Sequence, residues 1–139
     1  MNNIGLSLHH LSSILERKSD DLLLVNLDLG YSQFKILLAL SDNRGIQQKE
    51  IAKRLGQTEA SISRQIWKMK TDGLIQVAMN PDDRRERITN LSAKGTNKLQ
   101  QASALLNSSL APVFEGVSGA EQENLIRLLE HLYTRAQVL

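Results

Sequence analysis

Apolar residues along this chain repeat at helical spacing towards both ends, and at a period of two only once, past the middle. Ile4, Leu8, Leu11 and Leu15 recur at 4-3-4 spacing with Ile14 beside them, which predicts an amphipathic helix over residues 4–18. Residues 1–3 read as a loose start. Ser19 and Asp20 stand as cap residues before a dense leucine patch, so residues 19–29 read as a separate short helix or turn between longer elements. Residues 31–42 carry Phe34, Ile36, Leu37, Leu38 and Leu40 around much of a helical circumference, the pattern of a central helix touched from several sides. Asp42-Asn43-Arg44-Gly45 ends it as a turn, and Ile46 is expected as a one-residue strand.

Residues 48–75, QKEIAKRLGQTEASISRQIWKMKTDGLI, organise the rest. The first half puts Ile51, Ala52 and Leu55 on one side of a short helix. The second puts Ile62, Ile66 and Met69 on one stripe. Gly56 sits where the chain must turn sharply, and Thr58 is an N-cap followed by Glu59 in the first turn, where the helix dipole favours an acid. Gly73 follows as a C-terminal cap. This is a helix-turn-helix in sequence form. With its apolar stripe inward, the second helix shows Ala60, Ser61, Ser63, Arg64, Gln65 and Lys68 on or near its outer side. Small residues at the N-terminal end admit a helix to a groove, and Arg64 and Gln65 reach base edges or phosphates.

Residues 74–79 then alternate, with Ile75, Val77 and Met79 against smaller or polar neighbours, and predict a strand. Asn80-Pro81-Asp82-Asp83 is turn chemistry, and residues 84–91 read as the returning strand. A hairpin directly after a helix-turn-helix makes a winged helix. Its tip and return carry Arg84, Arg85 and Arg87, suited to the narrow minor groove, with Asp82 or Asp83 available to pair with them and stiffen the wing. Ser92 caps a helix over roughly residues 93–109, with Leu99, Ala102, Leu105 and Leu106 on one side, and Ala111-Pro112 breaks it. Ser118 and Glu121 form a capping-box pair that opens a last helix near residues 119–137. Leu125, Leu129, Leu132 and Ala136 make its stripe, flanked by Ile126, Leu128 and Tyr133. That stripe is wider than one neighbour needs. The expected fold is mainly α with a small β-hairpin wing: a winged helix-turn-helix plus a helical dimerisation subdomain. The expected divisions are residues 1–29, 30–95 and 96–139, the first and last serving a two-fold dimer.

Charge sharpens this picture. The 139 residues carry a net charge of only +2. Residues 1–43 hold −2, residues 44–98 hold +6 and residues 99–139 hold −2, so the positive charge lies on the helix-turn-helix and wing. The sequence has no cysteine, which excludes disulfides, thiolate metal sites and thiol redox sensing. Its three histidines, His9, His10 and His131, make no metal-ligand spacing, and no metal or cofactor is expected. Adjacent His9 and His10 point about 100° apart on one helix and cannot ligate jointly from it. No basic residue precedes Arg17 and the apolar runs are too short to span a membrane, so a soluble cytoplasmic protein with no membrane partner is expected. No phosphate loop, nucleophile elbow or catalytic triad is present, which argues against an enzyme.

These motifs resemble the MarR (multiple-antibiotic-resistance regulator) family of winged-helix transcription factors. Tyr31-Ser32-Gln33-Phe34 with Leu37, Leu38 and Leu40 resembles the helix before the reader. Gln48 to Leu55 resembles the family's Q-x-E-[IL]-A-x-x-L helix, and Ser61-Ile62-Ser63-Arg64 stands where the family has Thr-Val-Thr-Arg or a relative of it. Asp72-Gly73-Leu74-Ile75 resembles its x-G-L-[IV] exit. Asp83-Arg84-Arg85 through Leu91-Ser92-Ala93-Lys94-Gly95 resembles the wing signature D-x-R…L-[ST]-x-x-G. The resemblance covers residues 30–95. It implies a homodimer that represses transcription from a pseudo-palindromic operator in double-stranded DNA. The DNA-binding residues it implies are Ser61, Ser63, Arg64, Gln65, Lys68, Arg84, Arg85 and Arg87, with Asp83 structuring the wing. It also implies release by a small-molecule effector, in a pocket whose lining would include Tyr31, Phe34, Leu8 and Leu24. Gln57 departs from the family, which commonly has an apolar residue after the turn glycine. Trp67 stands where a polar residue is frequent and is expected to pack against a neighbouring helix. The competing readings are a winged-helix module that binds protein, and a DNA-binding protein without a ligand.

Overall fold

The computed structural model describes residues 3–139. In order, its elements are α1 (Ile4–Leu27), α2 (Tyr31–Asp42), β1 (Ile46–Gln47), α3 (Gln48–Leu55), α4 (Glu59–Thr71), β2 (Ile75–Met79), β3 (Arg87–Leu91), α5 (Ala93–Leu110), a 3-10 turn (Ala111–Phe114) and α6 (Gly119–Ala136). By its internal contacts the chain divides into two compact units, Met1–Asn107 and Ser108–Leu139. No single helix among the described residues is long and apolar enough to cross a membrane.

The N-terminal region differs from expectation. Asn3 belongs to the helix as its N-cap, accepting the Leu6 N–H at 3.1 Å; the expectation for Met1 and Asn2 lies outside the described residues. α1 then runs unbroken through residues 19–27. No glycine or proline interrupts residues 6–29, and Ser19 is buried within the helix rather than capping it. Asp20 works elsewhere: its Oδ1 accepts the Tyr31 N–H at 2.8 Å and so caps α2. Gln33 reaches back to the Gly30 N–H at 3.0 Å, completing that start. α1 stops at Asp28, whose φ of 50° turns the chain left-handed while its N–H closes on Leu23 and Leu24 carbonyls.

The core of the first unit gathers Leu23 and Leu29 with Ile36, Leu37 and Leu40 of α2, Ile51 of α3, and Ile62, Ile66 and Met69 of α4, each 2% exposed or less. Burying each of these larger side chains contributes roughly 1.5–3 kcal/mol before the entropy of ordering is counted. The sheet order is β1-β3-β2, antiparallel throughout, with Ile46 opposite Thr89 and Ile75 opposite Leu91. Thr89 is fully buried, and its Oγ1 has no hydrogen-bond partner among the described residues.

The returning strand is shorter than residues 84–91. Pairing runs only from Met79 opposite Arg87 to Ile75 opposite Leu91. Residues 80–86 are held in local turns: Asn80 Oδ1 accepts the Asp82 N–H, Asp83 Oδ1 accepts the Arg85 N–H, and Asn80 Nδ2 donates to Glu86 Oε2 at 2.8 Å. Side chains offering such bonds compete with the ladder, which therefore starts at Arg87. Along β2, burial fades from Ile75 at 2% exposed to Met79 at 52%, as the hairpin leaves the body of the unit.

The junction of wing and α5 is tight. Ser92 Oγ donates to the Gly73 carbonyl at 2.6 Å and accepts the Gly95 N–H at 3.0 Å, which starts α5. A Cβ built on Gly95 would lie 1.9 Å from the Leu74 carbonyl oxygen, so only glycine fits there. In the second unit Ser118 and Glu121 form the expected capping box at the start of α6.

Candidate nucleic-acid interface

The helix-turn-helix is α3, a turn and α4. Gly56 takes φ 61° at the end of α3, where an L side chain would be strained. Thr58 Oγ1 accepts the Ser61 N–H at 3.1 Å and starts α4. Ile62, Ile66 and Met69 are buried, so Ser63, Arg64, Trp67 and Lys68 face solvent. Trp67 is 68% exposed and does not pack on a neighbouring helix as expected. It follows Ser63 and Arg64 by one helical turn and so extends their face.

Two of the expected contact residues are turned partly inward. Ser61 and Gln65 are half-buried and share a network with Gln57: Ser61 Oγ donates to Gln57 Oε1 at 3.1 Å, and Gln65 Nε2 donates to the same oxygen at 2.8 Å. Gln57 Nε2 donates in turn to Ser32 Oγ at 2.7 Å. Sequence reasoning marked Gln57 as a departure but did not place it with Gln65. The signal available was eight-residue spacing, which spans the turn and brings position 57 beside the first two turns of α4.

The wing carries Arg84, Arg85 and Arg87, all exposed. No ion pair joins them to Asp82 or Asp83, and Asp83 instead accepts the Arg85 backbone N–H at 3.0 Å. Gln47, Gln48 and Lys49 at the start of α3 line a shallow cleft of about 300 Å³ with Arg85, Glu86 and Arg87 of the wing. Of the twelve lysines and arginines in residues 44–98, eleven are exposed and Lys98 is half-buried, its Nζ donating to the Leu27 carbonyl. Among the described residues, only Lys68 of these twelve lies within ion-pair distance of a carboxylate, Asp72 at 3.9 Å. An exposed pair of that length is worth about 0–1 kcal/mol. The net +6 of this segment is therefore almost wholly unneutralised by the protein.

Of the residues expected to line an effector pocket, Tyr31 and Phe34 lie together on α2 while Leu8 and Leu24 stand apart on α1. Phe34 is buried and its ring stacks on Tyr31, with centroids 5.8 Å apart and Lys35 Nζ 5.2 Å from the Tyr31 ring. Burial, and then the Glu16 carboxylate, raise the Tyr31 pKa. Leu8 and Leu24 lie on the one continuous α1, where sixteen residues span roughly 24 Å. His9 and His10 are exposed neighbours on α1, their rings 6.4 Å apart and tilted by 46°.

This arrangement of helix-turn-helix and wing has known counterparts. The MarR family model matches residues 27–86. Transcriptional regulator HosA of Escherichia coli O111:H- is 29% identical over 106 residues, covering 76% of this chain and 78% of HosA. The crystal structure of wild-type apo MarR from E. coli superposes with a TM-score of 0.83 at 22% identity, over 95% of this chain and 98% of that one. The transcriptional repressor CouR, solved on a 23-mer DNA duplex, superposes with a TM-score of 0.79 at 27% identity, over 96% of this chain and 92% of CouR. CouR from Rhodococcus jostii RHA1, bound to p-coumaroyl-CoA, gives 0.80 at 19% identity over 94% of this chain and 92% of that one. The chain has the winged-helix fold, and the relatives and neighbours named above are transcriptional regulators.

Proposed function

We propose that this chain is a DNA-binding transcriptional regulator of the MarR family and acts as a homodimeric repressor, with α4 in the major groove of each half of a pseudo-palindromic operator and the wing against the flanking minor groove. The observation that carries the reading is the set of exposed cations on α4 and the wing, of which only Lys68 lies within ion-pair distance of a carboxylate among the described residues. Ser63 and Arg64 meet base edges, with Ser61, Gln65 and Lys68 around them and the Trp67 ring placed to meet thymine methyls. Arg84, Arg85 and Arg87 neutralise phosphates or enter the minor groove, and Asp83 fixes the turn that presents them. Lys49, beside Arg85 and Arg87 in one cleft, adds a phosphate contact.

A second copy of the chain supplies the second half-site. Leu125, Ile126, Leu128, Leu129, Leu132 and Tyr133 of α6 are all exposed, as are Ile4, Leu6, Leu8, Leu11 and Ile14 of α1. Apolar surface on this scale marks an interface, and a two-fold dimer matches two half-sites about one DNA turn apart. Release of DNA by a small-molecule effector fits the CouR complex with p-coumaroyl-CoA, and Tyr31 with Phe34 is the aromatic pair best placed to meet such a molecule in this chain.

The test compares the wild type with Arg64→Ala and with Arg84→Ala/Arg85→Ala on operator and unrelated DNA across a salt series. Arg64→Ala should cost roughly 1–3 kcal/mol on the operator and little on unrelated DNA. The double wing variant should flatten the salt dependence by about 1.8 in log–log slope, the value for two phosphate contacts. An equal loss on both DNAs for Arg64, or an unchanged slope for the wing variant, removes that element from the reading role given to it.

A further inference from the structure

Gln57 stands in the turn between α3 and α4, where the family commonly has an apolar residue, and every polar atom of its side chain is engaged. Nε2 donates to Ser32 Oγ on α2 at 2.7 Å, and Oε1 accepts from Ser61 Oγ at 3.1 Å and Gln65 Nε2 at 2.8 Å. Gln65 Nε2 also lies 3.3 Å from both the Ser61 carbonyl oxygen and Ser61 Oγ. The backbone carbonyl fixes the sense of the amide. Turned over, Gln65 would set its own oxygen against that of Ser61, acceptor to acceptor. Both N–H groups of Gln65 therefore point into the protein, and its Oε1 has no partner among the described residues.

We infer that Gln57 is a positioning residue for base selection, locking Gln65 so that α4 offers the major groove a lone hydrogen-bond acceptor. A free glutamine offers a donor and an acceptor together and pairs with N6 and N7 of adenine. The locked one accepts only, so it selects a base with an exocyclic amine, cytosine through N4 or adenine through N6. It disfavours guanine and thymine, which present O6 and O4 there. Ser61 is drawn into the same lock, since its hydroxyl proton is spent on Gln57. Arg64 and Ser63 keep their polar groups for DNA. The inference rests on the reading of α4 as the base-reading helix.

The test ranks all single base-pair variants of a site enriched from random DNA, using fluorescence anisotropy, for the wild type, Gln57→Leu, Gln57→Glu and Gln65→Ala. The wild type should prefer cytosine and adenine over guanine and thymine at one base of each half-site, on the order of tenfold. Gln57→Leu frees the Gln65 amide and should move that preference towards adenine alone, with the ranking elsewhere unchanged. Gln57→Glu keeps both acceptor contacts and should keep the wild-type ranking, at an affinity lowered uniformly by charge repulsion from phosphates. Gln65→Ala should abolish discrimination at that base. Should Gln57→Leu not fold, the contrast between a retained ranking in Gln57→Glu and a flat one in Gln65→Ala carries the same decision. A ranking identical in Gln57→Leu and wild type, or one lost in Gln57→Glu, overturns the inference and leaves α4 as the reader. A wild type that ranks no base anywhere overturns the reading of α4 itself, and the inference with it.

Discussion

α4 and α6 begin from the same kind of sequence and end in opposite situations. Each is an amphipathic helix with an N-cap whose side chain accepts a backbone N–H of its first turn. Ile62, Ile66 and Met69 of α4 are at most 2% exposed, whereas Leu125, Leu129 and Leu132 of α6 remain 39–45% exposed. The apolar stripe of α4 is satisfied within its own unit, which frees the opposite face to carry Ser63, Arg64, Trp67 and Lys68. The stripe of α6 is unsatisfied within its own unit. Hydrophobic periodicity therefore says that a helix needs a neighbour, but not whether the neighbour belongs to the same chain. The outward residues decide the rest: cations on α4 suit a polyanion, and leucines on α6 suit a second copy.

Three changes would break or sharpen this contrast. Ile62→Ala should cost roughly 2–5 kcal/mol, because its cavity would open in a filled interior, and the loss should not vary with protein concentration. Thermal or denaturant unfolding at two concentrations reads this. Leu129→Glu with Leu132→Glu should leave the first unit folded by circular dichroism while sedimentation falls from a dimer to the single-chain mass of 15.5 kDa. A double variant that still sediments as two chains would take α6 out of the interface. The smallest effect is expected at Thr89. Its hydroxyl is buried without a partner among the described residues, so Thr89→Val, nearly the same in shape, should raise stability by about 1 kcal/mol or less. A clear destabilisation would mean that the hydroxyl has a partner, such as a buried water.

Much of the reading unit was legible in the sequence because local chemistry and tertiary need agree there. Thr58, Gly56, Gly73 and the stripe Ile62, Ile66 and Met69 each act as their residue types suggest. α2 and the capping box of Ser118 and Glu121 were equally plain. What escaped depended on partners distant in sequence. Ser19 and Asp20 look like caps, but Asp20 bonds to Tyr31 eleven residues on, and α1 continues past them. That continuity also separates Leu8 from Leu24, which a chain broken at residue 19 could have brought together. Arg84 and Arg85 alternate well enough for a strand, yet Asn80 and Asp83 hold them in the turn. Trp67 looks like core by composition, but it lies off the stripe set by Ile62 and Ile66. The meaning of Gly95 lay in a carbonyl twenty-one residues earlier, which its spacing in the motif marked without explaining.

The central claim is that α4 and the wing read a two-fold DNA site through two copies of the chain. It is tested most directly by enriching bound sequences from random DNA with the purified protein, then counting chains on the recovered site. The account predicts an inverted repeat with half-sites about 10 base pairs apart, occupied by two chains, with affinity falling steeply as salt rises. Enrichment of no motif from a protein that still binds DNA at low salt would contradict it, as would a single non-repeated motif bound by one chain.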